Sequence, residues 1–294
     1  MLYRAVLILV ALAAPALATP PDYLARPGTV THALSCPDGA SVVLDSMFID
    51  SVSDSYIIIR DPWPGGMTIP VYANAHLERC AKRTIGAAVS AAQAGCEIWV
   101  AAAPVQGGYE ESVTINKELA LYGGFGGWEL RRCDRDPEEN ETVMHGGTTV
   151  TMGIKVDNGL TSATVIDGFT VRDYTARAIF CDGSSPVISG NKIVDNVGTA
   201  IVCGGAGQTP LIENNSILRN DASPNYGGGV YSSNASPVIS GNKFADNVAS
   251  DLGGAIYCHG GSATITRNTF SQNSAIDFGA GGAIACVESD GHIL

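Results

Sequence analysis

Short apolar stretches alternate with Gly and Asn along most of the chain, and the pattern recurs at a nearly constant interval. The twelve residues from Ser185, SPVISGNKIVDN, return from Ser236 as SPVISGNKFADN, with ten of the twelve identical. A looser copy, TPLIENNSILRN, starts at Thr209 between them. The apolar positions lack the period of a helix, so each unit is predicted to be a set of short β-strands separated by turns.

Each unit contains the motif N-x-[I/F]-x-x-N. The motif opens at Asn191, Asn215, Asn242 and Asn268 and closes at Asn196, Asn220, Asn247 and Asn273. The openings are 24, 27 and 26 residues apart, and a period of about 20–50 residues indicates a solenoid. A further unit, VIDGFTVRDY from Val165, fits the same frame with Phe169 and Tyr174 in the asparagine positions.

Stacked β-units of this kind lie about 4.8 Å apart, so equivalent residues of successive rungs lie above one another. Each unit also has a second strand of the type AIFC, which recurs as AIVC, GVYS, AIYC and AIAC. Two inner columns are therefore predicted, with Ile188, Ile212, Ile239 and Ile265 in one and Ile179, Ile201, Val230, Ile256 and Ile284 in the other. The asparagines are expected at turns, where each can bond its neighbours above and below.

The segments GGAIY at 253–257 and GGAI at 281–284 resemble strands of the right-handed parallel β-helix proteins of the pectate-lyase-like superfamily, especially secreted bacterial members. Residues 85–94 resemble the short helix that caps the first coil in that family, and LYGGF at 121–125 resembles a turn that follows it. The resemblance covers roughly residues 84–294. It implies an all-β fold, a single-stranded right-handed parallel β-helix of about seven rungs with an N-terminal helical cap. It implies no particular activity, because one fold carries many functions.

Residues 1–18 have the parts of a secretory signal peptide: Arg4, an apolar run at 5–14 and a small-residue cleavage site at 16–18. A non-cleaved anchor is the alternative, but the apolar run is shorter than the ~20 residues of a membrane span. We therefore expect a secreted, cell-surface or periplasmic protein. No transmembrane segment is expected after signal cleavage.

Residues 19–83 do not repeat. The stretch 41–72 indicates three or four strands, with a turn at Pro64 and Gly65. It faintly resembles the first half of an OB-type barrel. A β-rich N-terminal extension that covers the end of the solenoid is the favoured interpretation.

Charge narrows the possible partners. The chain has 17 Lys and Arg against 29 Asp and Glu, a formal net charge of −12 at pH 7. A surface this acidic disfavours nucleic acid and anionic membranes, so no nucleic-acid partner is expected. A polysaccharide or cell-surface glycan remains as the predicted partner.

The eight cysteines form two groups. Cys36, Cys80, Cys96 and Cys133 precede the regular rungs, and in an exported chain two disulfides are plausible, with three possible connectivities. The second group is an inner column of Cys181, Cys203, Cys258 and Cys286, with Ser232 in the remaining rung. Stacked parallel neighbours point the same way, so buried thiols are favoured there over bridges such as one between Cys181 and Cys203. The spacing supports no metal site.

An outer column precedes the closing asparagines and contains Asp173, Asp195, Arg219, Asp246 and Gln272. The carboxylates of Asp173 and Asp195 are expected about 5 Å apart, the separation of a retaining glycosidase pair. Relatives that cleave acidic polysaccharides use clustered carboxylates for Ca²⁺ and an arginine as base. Asp173, Asp195 and Arg219 are therefore the candidate catalytic residues. A solvated column of opposite charges is the favoured alternative, and the connections between rungs are expected to be too short to build a cleft.

A second outer column contains Phe180, Val202, Tyr231, Tyr257 and Ala285. Tyr231 and Tyr257 are expected to stack on neighbouring rungs as an apolar platform with polar tips, which suits a sugar ring. The alternative is that the pair only stabilises the strand face.

Together these patterns favour an exported, non-catalytic surface or matrix protein for adhesion or glycan binding. The alternative is a polysaccharide lyase or glycosidase acting on an acidic polysaccharide. No cofactor is expected, except Ca²⁺ if the chain is a lyase. The last repeat, from Gly281, is followed only by a short tail. Either the last residues fold back as a cap, or the β-helix is truncated at its C-terminus; truncation is favoured, and the chain is then expected to associate end to end through its last rung.

Overall fold

The computed structural model describes residues 84–102, 107–126, 132–277 and 281–293, together with four short strands farther upstream. Those strands are β1 (His32–Ser35), β2 (Ser41–Leu44), β3 (Ile57–Arg60) and β4 (Thr68–Ile69). β1 pairs with β2 and β3 pairs with β4, both antiparallel. The predicted signal peptide, Cys36, Cys80 and most of the predicted extension 19–83 lie outside the described residues.

Three sheets form the rest of the fold, and each takes one strand from every turn of the chain. The first sheet contains β5 (Glu97–Ala101), β8 (Ala120–Phe125), β11 (Val165–Asp167), β14 (Val187–Ser189), β17 (Leu211–Glu213), β20 (Val238–Ser240), β24 (Thr264–Thr266) and β28 (His292–Ile293), with β3 antiparallel to β5 at one edge. The second contains β6 (Tyr109–Glu110), β9 (Thr142–His145), β12 (Phe169–Arg172), β15 (Lys192–Val194), β18 (Ser216–Leu218), β21 (Lys243–Ala245) and β25 (Thr269–Ser271). The third contains β7 (Val113–Ile115), β10 (Met152–Val156), β13 (Arg177–Asp182), β16 (Thr199–Gly204), β19 (Val230–Ser233), β23 (Ile256–His259) and β27 (Ile284–Val287).

The chain passes through the first, second and third sheets in turn, which gives the second and third sheets seven strands each. We number these turns as rungs 1 to 7, beginning at β5 and ending with β27. Neighbouring strands within the seven rungs pair in parallel, because successive turns of the coil run in the same direction. The predicted all-β parallel solenoid of about seven rungs is confirmed.

The two predicted inner columns are present in the predicted register. In the first sheet Ile188, Ile212, Ile239 and Ile265 are successive partners, and each is at most 1% exposed. In the third sheet the partners are Ile179, Ile201, Val230, Ile256 and Ile284. All but Ile284 of rung 7 are fully buried. Burial of one such side chain is worth about 1.5–3 kcal/mol, and a slip of one residue would turn the whole column outward. The repeat therefore fixes the register.

A short helix, α1 (Ile85–Ala91), precedes the first rung, within the residues predicted to be helical. The Thr84 side chain accepts a hydrogen bond from the Ala87 amide, 3.1 Å away. It thereby satisfies one of the backbone N–H groups that have no partner within the first turn of the helix. The Glu111 carboxylate accepts hydrogen bonds from the backbone amides of Ile85 and Gly86, at 2.7 and 2.8 Å. Ile85 and two further residues of α1 are buried in the core. The role of this helix as a cap stays a prediction.

Two asparagine ladders run along the turns on either side of the second sheet. In each ladder, the side-chain oxygen of one asparagine accepts hydrogen bonds from the backbone N–H and the side-chain amide of the asparagine one rung earlier. Phe169 and Tyr174 begin the ladders, since their backbone amides donate to Asn191 and Asn196, each at 3.0 Å. The prediction that the asparagines bond to their neighbours at the turns is confirmed.

The connections from the second to the third sheet differ among rungs. They are 173–176 and 195–198 in rungs 3 and 4, but 219–229, 246–255 and 272–283 in rungs 5 to 7. The connections that join successive rungs, such as 183–186, 234–237 and 260–263, are short as expected, and the longer ones lie within rungs 5 to 7. The longer connections make a parallel ladder of their own, in which β22 (Val248–Ala249) pairs with β26 (Ser274–Ala275) and Asp221 bridges to Val248. We call residues 219–229, 246–255 and 272–277 the loop ladder.

The inner cysteine column carries buried thiols, as expected. Cys181, Cys203 and Cys258 are reduced and fully buried, whereas Cys286 of rung 7 is exposed. Cys181 and Cys203 are register partners without a bridge, because parallel neighbours direct their side chains the same way. In the other group, Cys133 is disulfide-bonded. Cys96 is buried, and Cys36 and Cys80 lie outside the described residues, so the connectivity of this group stays a prediction.

Candidate functional site

The predicted catalytic residues lie in turns just beyond the second sheet. Each of the three directly follows a strand of that sheet and directly precedes a residue of one asparagine ladder. The residues are Asp173, Asp195 and Arg219. Their φ angles are 60°, 56° and 52°, the left-handed region that a tight turn requires here. Asp246 and Gln272 continue the same column with φ angles of 56° and 55°. The column is thus a series of equivalent turns, and aspartate tolerates this backbone conformation better than most residues do.

The charges in this column pair within and between rungs. Arg219 donates from Nε and Nη2 to the two carboxylate oxygens of Asp195, at 2.7 and 2.8 Å. Asp173 is paired instead with Arg172, its neighbour in the chain. The side chains of Asp195 and Arg219 are 44% and 51% exposed, so water screens the pair.

The electrostatics keep Asp195 ionised. The hydrogen bond from Arg219 holds the pKa of Asp195 below its usual range; burial opposes this shift, and the positive charges of Arg219, Arg172 and Lys192 add to it. A general acid needs the opposite shift, which burial in an apolar pocket would provide. The arrangement therefore resembles the solvated column more than the catalytic pair, and catalytic roles for these residues stay a prediction.

No metal site accompanies these residues in the part of the chain that the structure describes. No group of three or more His, Cys, Asp or Glu side chains is placed there to hold an ion. The possible use of Ca²⁺ by a lyase therefore stays a prediction.

The predicted tyrosine pair lies on the outer face of the third sheet. Tyr231 and Tyr257 are register partners in rungs 5 and 6, and their rings stack with centroids 5.6 Å apart and planes inclined by 18°. Tyr257 is only 6% exposed, whereas Tyr231 is partly exposed. The stacking is as expected, but a ligand can reach mainly the ring of Tyr231.

A third tyrosine, which the repeat pattern did not indicate, completes this surface. Tyr226 belongs to the loop ladder, is 37% exposed, and stacks on Tyr257 with centroids 4.9 Å apart. We call Tyr226, Tyr231 and Tyr257 the tyrosine platform. Its only signal in the sequence was a tyrosine beside the glycines at 227–229, in a connection longer than those of rungs 3 and 4.

The phenol groups of Tyr226 and Tyr231 are exposed in part, whereas that of Tyr257 is nearly buried. Within the described residues, none of their hydroxyls donates or accepts a hydrogen bond. Burial raises the pKa of Tyr257, and the nearby phenols and Glu288 raise it further, so this hydroxyl stays protonated at neutral pH. The platform therefore offers ring faces together with polar groups that can bond to sugar hydroxyls.

Comparison with known proteins agrees with this architecture. Residues 149–294 match the family model of the right handed beta helix region. The chain is a right-handed parallel β-helix repeat protein. The matched part of this β-helix contains both asparagine ladders, the inner cysteine column and the tyrosine platform.

No curated protein and no solved structure matches the chain. The family therefore accounts for the fold of this β-helix protein, and its activity has to be argued from its own side chains. Within the described part of the chain, no helix combines the length and the apolar character that crossing a bilayer requires.

Proposed function

We propose that this β-helix protein is exported and binds glycans, without catalysis, as a surface or matrix protein. The observation that carries the proposal is the tyrosine platform, where Tyr226 and Tyr231 present ring surface to solvent and both stack on Tyr257. A pyranose ring presents flat C–H faces and a rim of hydroxyls, which match a phenol's apolar face and polar tip. Export is supported by the predicted signal peptide.

The scaffold favours binding because it holds the rings in place before a ligand arrives. Tyr231 and Tyr257 belong to paired strands, and the stacking contacts limit the rotation of their side chains. A side chain that is already ordered loses little conformational entropy on binding. A shallow surface of this kind suits modest affinity repeated over many copies of a polymer, as adhesion requires.

The non-catalytic part of the proposal is supported by the state of the predicted catalytic residues. Asp195 is hydrogen-bonded on both carboxylate oxygens by Arg219, and Asp173 is paired with Arg172. An arginine that acts as a base would have to leave its ion pair and lose a proton, which an exposed guanidinium does not do readily. The enzymatic alternative therefore has less support.

Affinity electrophoresis and calorimetry against a panel of neutral, acidic and amino-sugar polysaccharides test glycan binding. We expect the protein to bind at least one of them, and Tyr226→Ala and Tyr231→Ala each to weaken that binding about fivefold, as the loss of one stacking contact implies. Val238→Ala is the matched control, because it removes an exposed apolar side chain from the first sheet. The proposal fails if no polysaccharide binds, or if the two tyrosine variants bind like the control.

A reducing-end assay on acidic polysaccharides, with and without Ca²⁺, tests the non-catalytic part. We expect no release of new chain ends by the wild-type protein. Release that is lost in the Asp195→Asn variant would overturn this part and restore the lyase or glycosidase alternative.

A further inference from the structure

We propose that the preferred ligand of the tyrosine platform is a cationic glycan, one whose sugars carry protonated amino groups. This inference rests on the proposed glycan binding and specifies its chemical class. It follows from two carboxylates of the loop ladder and from the distribution of charge over rungs 5 to 7.

Backbone hydrogen bonds place Asp251 beside the platform. The Ser250 amide donates to the Asn225 carbonyl at 3.0 Å, and the Gly227 amide donates to the Leu252 carbonyl at 3.2 Å. Asn225 and Gly227 are the chain neighbours of Tyr226, and Ser250 and Leu252 are those of Asp251. The backbone at Asp251 therefore lies one rung from the backbone at Tyr226.

Asp277 continues this position in the next rung. Its amide donates to the Ser250 carbonyl at 2.7 Å, which aligns Asp277 with Asp251 in the parallel ladder. Adjacent rungs lie about 4.8 Å apart. The two aspartates therefore occupy aligned backbone positions in adjacent rungs, and Asp251 lies one rung from Tyr226.

These carboxylates are available for a cationic partner. Within the described residues, neither Asp251 nor Asp277 makes an ion pair or a side-chain hydrogen bond, in contrast to the paired Asp195. Asp277 is exposed and Asp251 is partly exposed. A ligand ammonium could reach both without breaking an existing contact.

The basic side chains of rungs 5 to 7 lie outside the third sheet, which carries Tyr231 and Tyr257. Residues 211–293 contain three basic and seven acidic side chains, which gives 3 − 7 = −4. The three basic residues are Arg219, which follows β18 of the second sheet, Lys243 in β21 of the same sheet, and Arg267 in the turn between β24 and β25. In rungs 5 to 7 the third sheet contains no lysine or arginine, and the one such residue of the loop ladder, Arg219, is paired with Asp195.

Phenol rings and carboxylates act together on a cation. An ammonium group is attracted to the negative face of an aromatic ring as well as to a carboxylate. An acidic sugar would be repelled by the same groups, and a neutral sugar would gain only the stacking. A 2-amino sugar can stack on the platform and direct its ammonium toward Asp251 and Asp277.

Two matched probes test this inference. One is a tetramer of β-1,4-linked glucosamine, and the other is the same tetramer with every amine acetylated, which removes the charge but keeps the sugar ring. At pH 6 and low salt we expect the charged tetramer to bind about fivefold more tightly, as two surface ion pairs imply. This preference should shrink when salt is raised to about 0.5 M, because salt screens exposed charges.

Two double variants locate the effect. Asp251→Asn with Asp277→Asn should remove the preference for the charged tetramer, while binding of the acetylated tetramer stays unchanged. Glu138→Gln with Glu213→Gln is the control, since it removes the same charge from positions off the platform and should keep the preference.

The outcomes separate this inference from the proposed function. If the acetylated tetramer binds as tightly as the charged one, and Tyr231→Ala weakens both, glycan binding stands and the cationic class is wrong. If the control double variant also abolishes the preference, the attraction comes from overall charge and the assigned position is wrong. If neither tetramer binds and no polysaccharide of the panel binds, the proposed glycan binding itself is wrong.

Discussion

The side-chain oxygen of Asn220 accepts two hydrogen bonds from Asn196 in the preceding rung, one from its backbone N–H at 3.3 Å and one from its side-chain amide at 2.8 Å. Asn220 in turn donates its side-chain amide to the Ile193 carbonyl and to Asn247. All three asparagines are at most 1% exposed. Each is therefore fully hydrogen-bonded only because the next rung repeats it, which explains why the motif is repeated so closely.

Asn220→Ala should lower the free energy of unfolding by about 2–4 kcal/mol, because it leaves several buried polar groups without partners. Asn225→Ala is the matched control, since Asn225 is exposed and bonds only through its backbone. Denaturant unfolding followed by circular dichroism measures both. Equal midpoints for the two variants would contradict the structural role of the ladder.

Ile239→Asp should destabilise the protein by more than about 3 kcal/mol, because Ile239 is fully buried and the new carboxylate would lack a partner. Val238→Asp changes the adjacent residue, which faces outward and is 36% exposed. We expect it to cost less than about 1 kcal/mol. A variant with Asp at position 239 that unfolds at the wild-type denaturant midpoint would show that the register is wrong.

Asp195→Asn should lower stability at pH 7 by at most about 1 kcal/mol, because the pair with Arg219 is exposed. The pKa of Asp195 is lowered in the folded state, so the contribution of the pair is present at neutral pH. It is lost as the pH falls through that lowered pKa. Urea unfolding from pH 7 to pH 2 should show the two proteins converging at acid pH, whereas a loss that grows toward acid pH would refute this.

Glu111 should give stability a pH dependence of the opposite sign. Burial raises the pKa of its carboxyl, although the amides of Gly86 and Ile85 partly offset this. The contribution of this group is therefore complete below about pH 4.5 and is lost as the pH rises through the raised pKa. Glu111→Gln should remove this slope. Glu110→Gln, at the exposed neighbouring residue, should keep it, and identical slopes in both variants would argue against burial of the charged form.

The inner thiols should differ in reactivity. Cys203 is fully buried, and its contact with Cys181 and its burial raise its pKa, so little thiolate forms. Cys286 is exposed. Iodoacetamide at pH 8, followed by mass spectrometry, should modify Cys286 in the native protein and Cys203 only after denaturation. Rapid native modification of Cys203 would mean that its column does not face the core.

The sequence predicted the repeated part of the fold in detail. The inner columns, the asparagine ladders with Phe169 and Tyr174 at their start, and the stacking of Tyr231 on Tyr257 all follow from residues one period apart. In a solenoid, residues one period apart are spatial neighbours, so a one-dimensional pattern carries the long-range contacts.

The tertiary structure decided what the period does not encode. The exposure of Cys286, the burial of Tyr257 and the position of Tyr226 depend on how much each rung is covered by its neighbours and by the connections. The connections of rungs 5 to 7 differ in length, so Asp251 and Asp277 are brought into line by backbone hydrogen bonds between loops rather than by equal spacing in the chain. Their proximity to the tyrosines arises only when the coil closes and those hydrogen bonds form.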